Sequence, residues 1–463
     1  MSNAIFQTIA AISTPRGKGG IAVIRISGGE TLDIVKKCFR PVGGTEALLP
    51  RRAIYGTIVD PLSGRVVDDG ILTLFLAPAS YTGEDVAEIS CHGGVYVSHA
   101  VLSAVFAAGA EPAGPGDFTR RAYVNGKLSL TRAEAVGKLL DARTEAQAKL
   151  ASAGTRGVLS RRLDEIRTEL LTLLSSVYAA IDYPDEDMTD VPMEEIATRL
   201  AKTKREVEAL ASTYKTGRAV SEGIRTVICG APNAGKSSVY NMLSASDRAI
   251  VTDVAGTTRD VLEDCISLGG VTLLIWDTAG LRETEDVVEK IGIDRARAKM
   301  GEAELALAVF DTSRRETEED LAFCRTASAL PAAIALLNKT DATKNISTEF
   351  EAEIRRSFPH VIEISAKEGI GREAIESCIH EMYFDGAIDL SDDPIVSESR
   401  QHAALLRAAE ALSEAAAAVH TTEGTDIVGF LAERALSELE MTDGRAVSDE
   451  IVSEIFKHFC VGK

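Results

Sequence analysis

The stretch Gly230-Ala-Pro-Asn-Ala-Gly-Lys-Ser237 constrains this chain more than any other. It follows the apolar run Arg225-Thr-Val-Ile-Cys229 and precedes a helix-compatible run, so it reads as a phosphate loop between a strand and a helix. The glycines let backbone N–H groups curl around phosphate oxygens, and the N-terminus of the following helix adds positive partial charge. Lys236 would reach the outer phosphates, and Ser237 would hold Mg²⁺ through its hydroxyl. Further short apolar runs lie at Val271–Trp276, Leu305–Phe310, Ala332–Leu337 and Val361–Ile364. Such runs suit strands of a parallel sheet covered by helices on both faces.

Companion motifs sit at the ends of these runs. Asp277-Thr-Ala-Gly280 places a carboxylate where it can hold the Mg²⁺ shell and a glycine N–H where it can sense a terminal phosphate. In Asn338-Lys-Thr-Asp341 the last carboxylate can accept from guanine N1–H and the exocyclic amine, a donor pair that adenine lacks. Ser365-Ala-Lys367 can support the base from its other side, and Thr258 of Gly256-Thr-Thr-Arg-Asp260 can ligate Mg²⁺ near the terminal phosphate. The order and strand-end placement are those of GTPases. The candidate GTP site is therefore Asn233, Ala234, Gly235, Lys236, Ser237, Ser238, Thr252, Asp253, Val254, Ala255, Gly256, Thr257, Thr258, Asp277, Thr278, Ala279, Gly280, Asn338, Lys339, Asp341, Ser365, Ala366 and Lys367. Leu281 stands where many small GTPases carry a water-orienting glutamine, and leucine cannot polarise water. Glu283, Glu285, Asp286 and Glu289 follow, and spacing alone does not choose among them.

At 463 residues the chain is long enough for two to three domains. Residues 1–120 mix short β-like runs (Ile21–Ile26, Gly70–Leu76, Asp85–Ser90) with a helix-like Ser98–Ala108, an α+β pattern. Residues 121–217 are helical: Leu159, Leu163, Ile166, Leu170, Leu174, Val177 and Ile181 line one face of a long helix, and a second run covers 193–214. The α/β pattern occupies 218–384, and 385–463 returns to helix, as in His402–Leu412. The expected architecture is an α/β domain inserted into a helical domain. With 70 acidic against 50 basic residues, the net charge of -20 makes the chain a poor generic binder of nucleic acid or anionic membrane. Its 7 cysteines form no CxxC pair, which fits a reducing cytoplasm rather than a disulfide framework or zinc ribbon. No apolar run reaches about 18 residues, so no membrane span is expected, and no signal peptide is read at the N-terminus.

Four more segments give the chain a resemblance. They are Thr14-Pro-Arg-Gly-Lys-Gly-Gly-Ile-Ala-Val-Ile-Arg-Ile-Ser-Gly28, Ser80-Tyr-Thr-Gly-Glu-Asp-Val-Ala-Glu-Ile-Ser-Cys-His-Gly-Gly94, Pro115-Gly-Asp-Phe-Thr-Arg-Arg-Ala-Tyr-Val-Asn-Gly-Lys127 and the terminal Phe459-Cys-Val-Gly-Lys463. With the GTPase motifs, they make the chain resemble the MnmE (TrmE) family of tRNA-modifying GTPases over essentially its whole length. The resemblance implies a multidomain α/β and α fold. Its parts would be an N-terminal α+β folate-binding and dimerisation domain (1–120), a discontinuous helical domain (121–217 and 385–463) and an inserted Ras-like P-loop GTPase domain (218–384). It also implies a cytoplasmic homodimer that joins the FAD-dependent protein MnmG in a heterotetramer. Together they would form the (carboxymethyl)aminomethyl group at carbon five of the tRNA wobble uridine. The carbon donor would be a tetrahydrofolate derivative, 5-formyl- or methylene-tetrahydrofolate.

By motif match the resemblance assigns K⁺ to Asn233, Thr252, Val254 and Thr257. The ion would supply the positive charge that an arginine finger supplies elsewhere. The water-orienting residue falls on Glu289, in Glu289-Lys-Ile-Gly292, with Lys236 as its catalytic partner on the phosphates, while Arg282 would support dimer contacts or switch geometry. The folate site falls on Arg25, Glu88, Lys127 and Lys463: a carboxylate can pair with pterin donors, and basic groups with the glutamate tail or the pterin carbonyl. Cys460 has two readings, a nucleophile toward carbon six of the uridine or a small buried residue that packs the tail. Packing is expected of Cys91 and His92. The stretch Leu436–Gly444 departs from the family's usual Leu-Gly-Glu-Ile-Thr-Gly-like sequence, and Val461 replaces a common isoleucine. Arg120, Arg121 and Lys127 are too small a basic patch for a tRNA surface, so MnmG would carry much of the phosphate binding. Two alternatives stand beside this reading: a non-modifying regulatory GTPase, for example in ribosome assembly, and a folate-dependent carrier with a vestigial GTPase. The terminal segments disfavour the first, and the complete guanine and Mg²⁺ motifs disfavour the second.

Overall fold

In the computed structural model, which describes residues 7–15, 17–44, 48–182, 192–245, 264–276, 303–330, 332–384, 388–419 and 424–463, the N-terminal strands form where the sequence alternates. They are β1 (Ile9–Ile12), β2 (Ile21–Ser27), β3 (Phe39–Pro41), β4 (Ile54–Val59), β5 (Val66–Phe75), β6 (Val86–His92) and β7 (Glu111–Pro112). Among the described residues they make a seven-stranded sheet in the order β3-β4-β5-β6-β2-β1-β7. In β2, Ala22, Ile24 and Ile26 point inward and Val23 and Arg25 outward, the period of two that buries one face. The helices Thr31–Cys38 and Val95–Ala107 cover the buried face with Ile34, Val35, Val101 and Val105.

The C-terminal tail belongs to this unit, which comprises Met1–Gly137 and Asp443–Lys463. Val461 bridges Pro115, the Gly116 N–H donates to Cys460 O (3.4 Å), and the Phe118 N–H donates to Lys463 O (3.2 Å). Val452 and Phe456 of the helix Asp449–Lys457 are buried with Leu130 and Ala133. The sequence reading placed 121–137 and 443–463 with the helical segments. In the structure their apolar side chains also pack on each other, Leu130 and Ala133 against Val452 and Phe456, a pairing across more than three hundred residues of sequence within this unit.

The second unit, Lys138–Thr442, holds a six-stranded sheet among its described residues. Its strands are β8 (Ile224–Gly230), β9 (Asp264–Leu268), β10 (Val271–Trp276), β11 (Leu305–Asp311), β12 (Ala333–Asn338) and β13 (His360–Glu363), in the order β13-β12-β11-β8-β10-β9. All neighbours are parallel except β9 and β10. Every residue of β11 and β12 is buried, as expected of central parallel strands covered on both faces. The chain enters β8 from a helical segment and leaves after the helix Arg372–Tyr383 into another. The helices Val158–Asp182, Met193–Ser212, Ser399–Ala418 and Gly424–Asp443 share one core, in which Ile166, Leu170, Leu200, Val207, Leu405 and Leu412 are buried. Incoming and outgoing segments touch at a neck. There the Val396 N–H donates to Thr213 Oγ1 (3.0 Å), and Gly217 lies so close to Val396 O that a Cβ would overlap it.

Candidate functional site: a guanine-nucleotide pocket

The carboxyl ends of β8, β11 and β12 lie side by side, the edge at which open α/β sheets bind ligands. Leaving β8, the chain turns through Asn233 (φ 61°) and Gly235 (φ 101°) into the helix Lys236–Ser244. Asn233, Lys339 and Arg51 are the non-glycine residues with positive φ among those described. That two of them fall in the phosphate loop and in Asn338–Asp341 marks strain held at a site. Lys236 Nζ folds back to donate to Gly230 O (3.1 Å) and Ala231 O (3.0 Å). Ser237 is half-buried in the first turn of the helix, and Ser238 beside it is exposed.

Asn338 does more than its motif suggested. Its Nδ2 donates to Ala234 O (2.9 Å), and its Oδ1 accepts from the Ala366 N–H (3.0 Å). One buried amide thereby spans the phosphate loop and the Ser365–Lys367 loop, with its donor and its acceptor both used. Asp341 Oδ1 accepts from Ser365 Oγ (2.7 Å), and that bond holds the carboxyl below the usual carboxylate range. An ionised, acceptor-only carboxylate at this place suits the two donors of guanine. Lys367 is exposed beside it. The structure thus brings together Asn233, Ala234, Gly235, Lys236, Ser237 and Ser238 with Asn338, Lys339, Asp341, Ser365, Ala366 and Lys367. Thr252, Asp253, Val254, Ala255, Gly256, Thr257, Thr258, Asp277, Thr278, Ala279, Gly280 and Glu289, together with Leu281 and Arg282, lie outside the described residues.

Sequence reasoning passed over Asp311. At the end of β11 it accepts from Lys339 Nζ (2.7 Å) and from the N–H of Ser313 (2.9 Å). Burial alone would raise this carboxyl, but the bonds from Lys339 and Ser313 hold it below its ordinary range. The pair fixes the lysine of Asn338–Asp341. Its position as an acid closing an otherwise apolar strand was the available signal.

A second cluster lies in the N-terminal unit. The β2–β6 register sets Arg25 opposite Glu88. Arg25 Nη2 and Nε both donate to Glu88 Oε1 (2.8 and 3.0 Å), and Nη1 donates to Gly462 O (3.1 Å). The rings of Tyr81 and Phe118 lie 5.8 and 5.7 Å from the Arg25 guanidinium carbon, within cation–π range. Lys463 is half-buried; that burial, and then the charge of Arg25, lower its pKa. Arg25, Glu88 and Lys463 are thus gathered. Lys127 Nζ instead donates to Pro78 O (3.0 Å). The Cys460 side chain is exposed, so the reading of it as a buried packing residue is set aside. Cys91 is buried as expected, but His92 is exposed and pairs through Nδ1 with Asp68 Oδ1 (2.8 Å), which corrects the packing role given to it.

A mainly parallel sheet with a phosphate loop after the central strand β8, and with Asn338–Asp341 and Ser365–Lys367 at the ends of β12 and β13, is the arrangement of a P-loop GTPase, a GTP-hydrolysing enzyme. Two family models match the chain: "GTP-binding protein TrmE N-terminus" over residues 8–127 and "MnmE helical domain" over 130–460. Curated relatives named tRNA modification GTPase MnmE include that of Natranaerobius thermophilus, 38% identical over 457 residues. Those of Geobacillus thermodenitrificans and Heliobacterium modesticaldum are 40% and 39% identical, each over 465 residues. Each of these three alignments spans 99% of both chains. The chain belongs to the MnmE (TrmE) family. No described helix is long and apolar enough to cross a membrane.

Proposed function

We propose that this chain is a K⁺-dependent GTPase acting in the modification of tRNA at carbon five of the wobble uridine. The GTP half of the reading is carried by one observation: Asn338 ties the phosphate loop to the loop that steadies Asp341, so phosphate-binding and guanine-reading groups form one pocket. The tRNA half is supported by identity to the MnmE relatives along the full chain. In this reading the chain works in the cytoplasm as a homodimer. It joins FAD-dependent MnmG in a heterotetramer, and a tetrahydrofolate derivative supplies the carbon. The proposed domains are those read from the sequence, 1–120, 121–217, 218–384 and 385–463, with the tail from 443 onward docked on the first of them.

Within the GTP site, Ser237 and Thr258 would hold Mg²⁺, with Asp277 in its shell. Ser237 fits this role from the first turn of its helix. Asn233, Thr252, Val254 and Thr257 would hold K⁺; the left-handed turn at Asn233 fits by keeping that side chain exposed on the loop. The bound cations would stabilise charge on the transferred phosphoryl group. Lys236 would bind the outer phosphates, and Glu289 would orient the attacking water, which Leu281 cannot do. Arg25, Glu88 and Lys463 would hold the folate derivative together with Lys127. The Arg25–Glu88 pair suits such a ligand, because a pterin offers donors to the carboxylate while an acidic tail suits the cations.

GTP turnover by the full-length protein is expected to be about tenfold or more faster in KCl than in NaCl, and Asn233→Ala is expected to lose that advantage. Equal rates in the two salts would remove the potassium mechanism. Glu289→Ala should retain nucleotide binding and lose hydrolysis in a single-turnover assay. Undiminished hydrolysis would assign water orientation to another residue.

A further inference from the structure

The turn that follows β11 belongs to none of the GTPase motifs, yet it carries the loop that begins at Asn338. Thr312 donates twice to Asn338 O, from its N–H (3.0 Å) and from Oγ1 (2.8 Å). The N–H groups of Asn345 and Ile346 donate back to Thr312 O (2.8 and 3.2 Å), and Asn345 Nδ2 donates to Ser313 O (3.0 Å). Both ends of the stretch that holds Lys339 and Asp341 are therefore fixed on Thr312 and Ser313. Between those ends Lys339, at φ 70°, reaches back through its ammonium, which donates to Asp311 Oδ2 (2.7 Å).

Asp311 does not face Lys339 alone. Its Oδ1 is held by the N–H and Oγ of Ser313 (2.9 and 2.6 Å), and its Oδ2 has a second cation nearby, Arg314 Nε at 3.7 Å. Arg314 is itself clamped. Its Nη1 and Nη2 donate to the two carboxylate oxygens of Asp320 (2.8 and 3.0 Å), a two-pronged pairing that fixes the plane of the guanidinium. Asp320 lies in the first turn of the helix Glu318–Ser328, where its Oδ2 also accepts from the N–H and Oγ1 of Thr317 (2.8 Å each) in a capping box. Burial pushes the Asp320 carboxyl upward, but the fork from Arg314 and the bonds from Thr317 hold it below its ordinary range. Lys339, Asp311, Arg314 and Asp320 thus alternate in charge. The carboxylates are the buried members, with side chains 3% and 6% exposed, so each depends on the guanidinium that lies against both.

We propose that Arg314 is a positioning residue for guanine recognition: clamped to Asp320, it holds Asp311 in place for Lys339, and so sets where Lys339 and the nearby Asp341 stand against the base. This rests on the GTPase reading above. Arg314 acts through Asp311 and not on the nucleotide. Without it, Asp311 and Asp320 lose the cation they share, and two buried like charges repel. Asp311 then leaves its place, and Lys339, bonded to it at 2.7 Å, goes with it. Lys339 and Asp341 belong to one tight loop, in which the Ala342 N–H donates to Lys339 O (3.0 Å), so a displaced lysine displaces the carboxylate that is to accept from the base.

The test measures the affinities of the full-length protein for GTP and ITP, by competition against a fluorescent GDP analogue. Hypoxanthine lacks the exocyclic amine of guanine, so the ratio of the two affinities reports how well Asp341 is placed. The wild type should prefer GTP by about tenfold or more. Arg314→Ala should lower GTP affinity about tenfold and cut the preference over ITP to about a third or less of the wild-type ratio. Arg314→Lys, which keeps a charge but not the fork, should restore part of the ratio. Arg314→Gln can still donate to Asp320 but brings no charge to Asp311. It should behave as Arg314→Ala does, and it keeps the test decisive where the alanine variant does not fold. In a Lys339→Met background, which retains an unbranched stem without the ammonium, Arg314→Ala should change GTP affinity by less than about twofold. A wild-type GTP-to-ITP ratio in folded Arg314→Ala or Arg314→Gln overturns the proposal, and so does an equal loss of both affinities, the mark of a merely structural role. An effect of Arg314→Ala as large in the Lys339→Met background as in the wild type also overturns it. A wild type that binds neither nucleotide, or binds ATP as well as GTP, overturns the GTPase reading instead.

Discussion

Gly235→Ala is expected to weaken GTP binding by about a hundredfold or more while leaving the protein folded. Gly235 has φ 101° and ψ 26°, a conformation that costs a residue with a Cβ about 1–3 kcal/mol. Strain is the smaller part of the effect. A Cβ built there runs into Asn338 Nδ2, the atom that donates to Ala234 O. Asn338 cannot step aside freely, because its Oδ1 holds the Ala366 N–H at 3.0 Å and it is 2% exposed. Relief must come from the loop, whose backbone N–H groups then turn away from the phosphates. Hydrogen bonds to a charged group contribute about 1.5–3 kcal/mol each, so one lost amide plus the strain accounts for the expected change. The fold should survive, since β8, β11 and β12 are paired and buried independently of the loop. Titration with a fluorescent GTP analogue, beside a thermal melt without nucleotide, checks both halves. Affinity within about threefold of wild type would mean that the loop does not need its left-handed glycine.

The same Asn338 shows where sequence reading stops. Its place in Asn338-Lys-Thr-Asp341 was legible because the motif is local and ends an apolar strand. Its bonds to Ala234 and Ala366 were not, because the loops they join meet only once β8 and β12 are laid on either side of β11 and β13 is paired beside β12. Elements with one strong period were read well: the stripe from Leu159 to Ile181 became the helix Val158–Asp182, and the apolar run at Val271–Trp276 became β10 with the same bounds. β9 was not foreseen, since Asp264-Cys-Ile-Ser-Leu268 is short and half polar and becomes a strand only by antiparallel pairing with β10 across Gly269-Gly270. The docking of the tail on the N-terminal unit was likewise invisible. A helix as short as Asp449–Lys457 declares an apolar face but not its partner, and here the partners are Leu130 and Ala133. The Arg25–Glu88 pairing depends on the β2–β6 register, which a one-residue slip would abolish, and register is set by the assembled sheet.

Asp341→Asn is expected to lower GTP affinity by about a thousandfold and to turn the site toward a xanthine nucleotide. Ser365 Oγ donates to Asp341 Oδ1 at 2.7 Å, and this bond fixes which way the side chain faces. In the variant the same hydroxyl selects the amide oxygen, since only that end can accept from it. The Nδ2 group is then presented to the base where a carboxylate oxygen stood. Guanine offers N–H donors there, so two charge-assisted bonds are lost and two donors face each other. Xanthine carries a carbonyl where guanine has its exocyclic amine, and that carbonyl can accept from Nδ2. The neighbouring supports are untouched: Lys339 keeps its bond to Asp311 Oδ2 at 2.7 Å, and Asn338 keeps its bond to Ala234 O at 2.9 Å. The change is therefore confined to the edge of the base, and phosphate binding and hydrolysis should persist with the xanthine nucleotide as substrate. Competition of GTP and XTP for the wild type and the variant, followed by turnover with each, reads the exchange directly. A variant that still prefers GTP as strongly as the wild type would show that Asp341 does not read the base, and the guanine specificity of the pocket would have to be sought in backbone groups of Ser365–Lys367 instead.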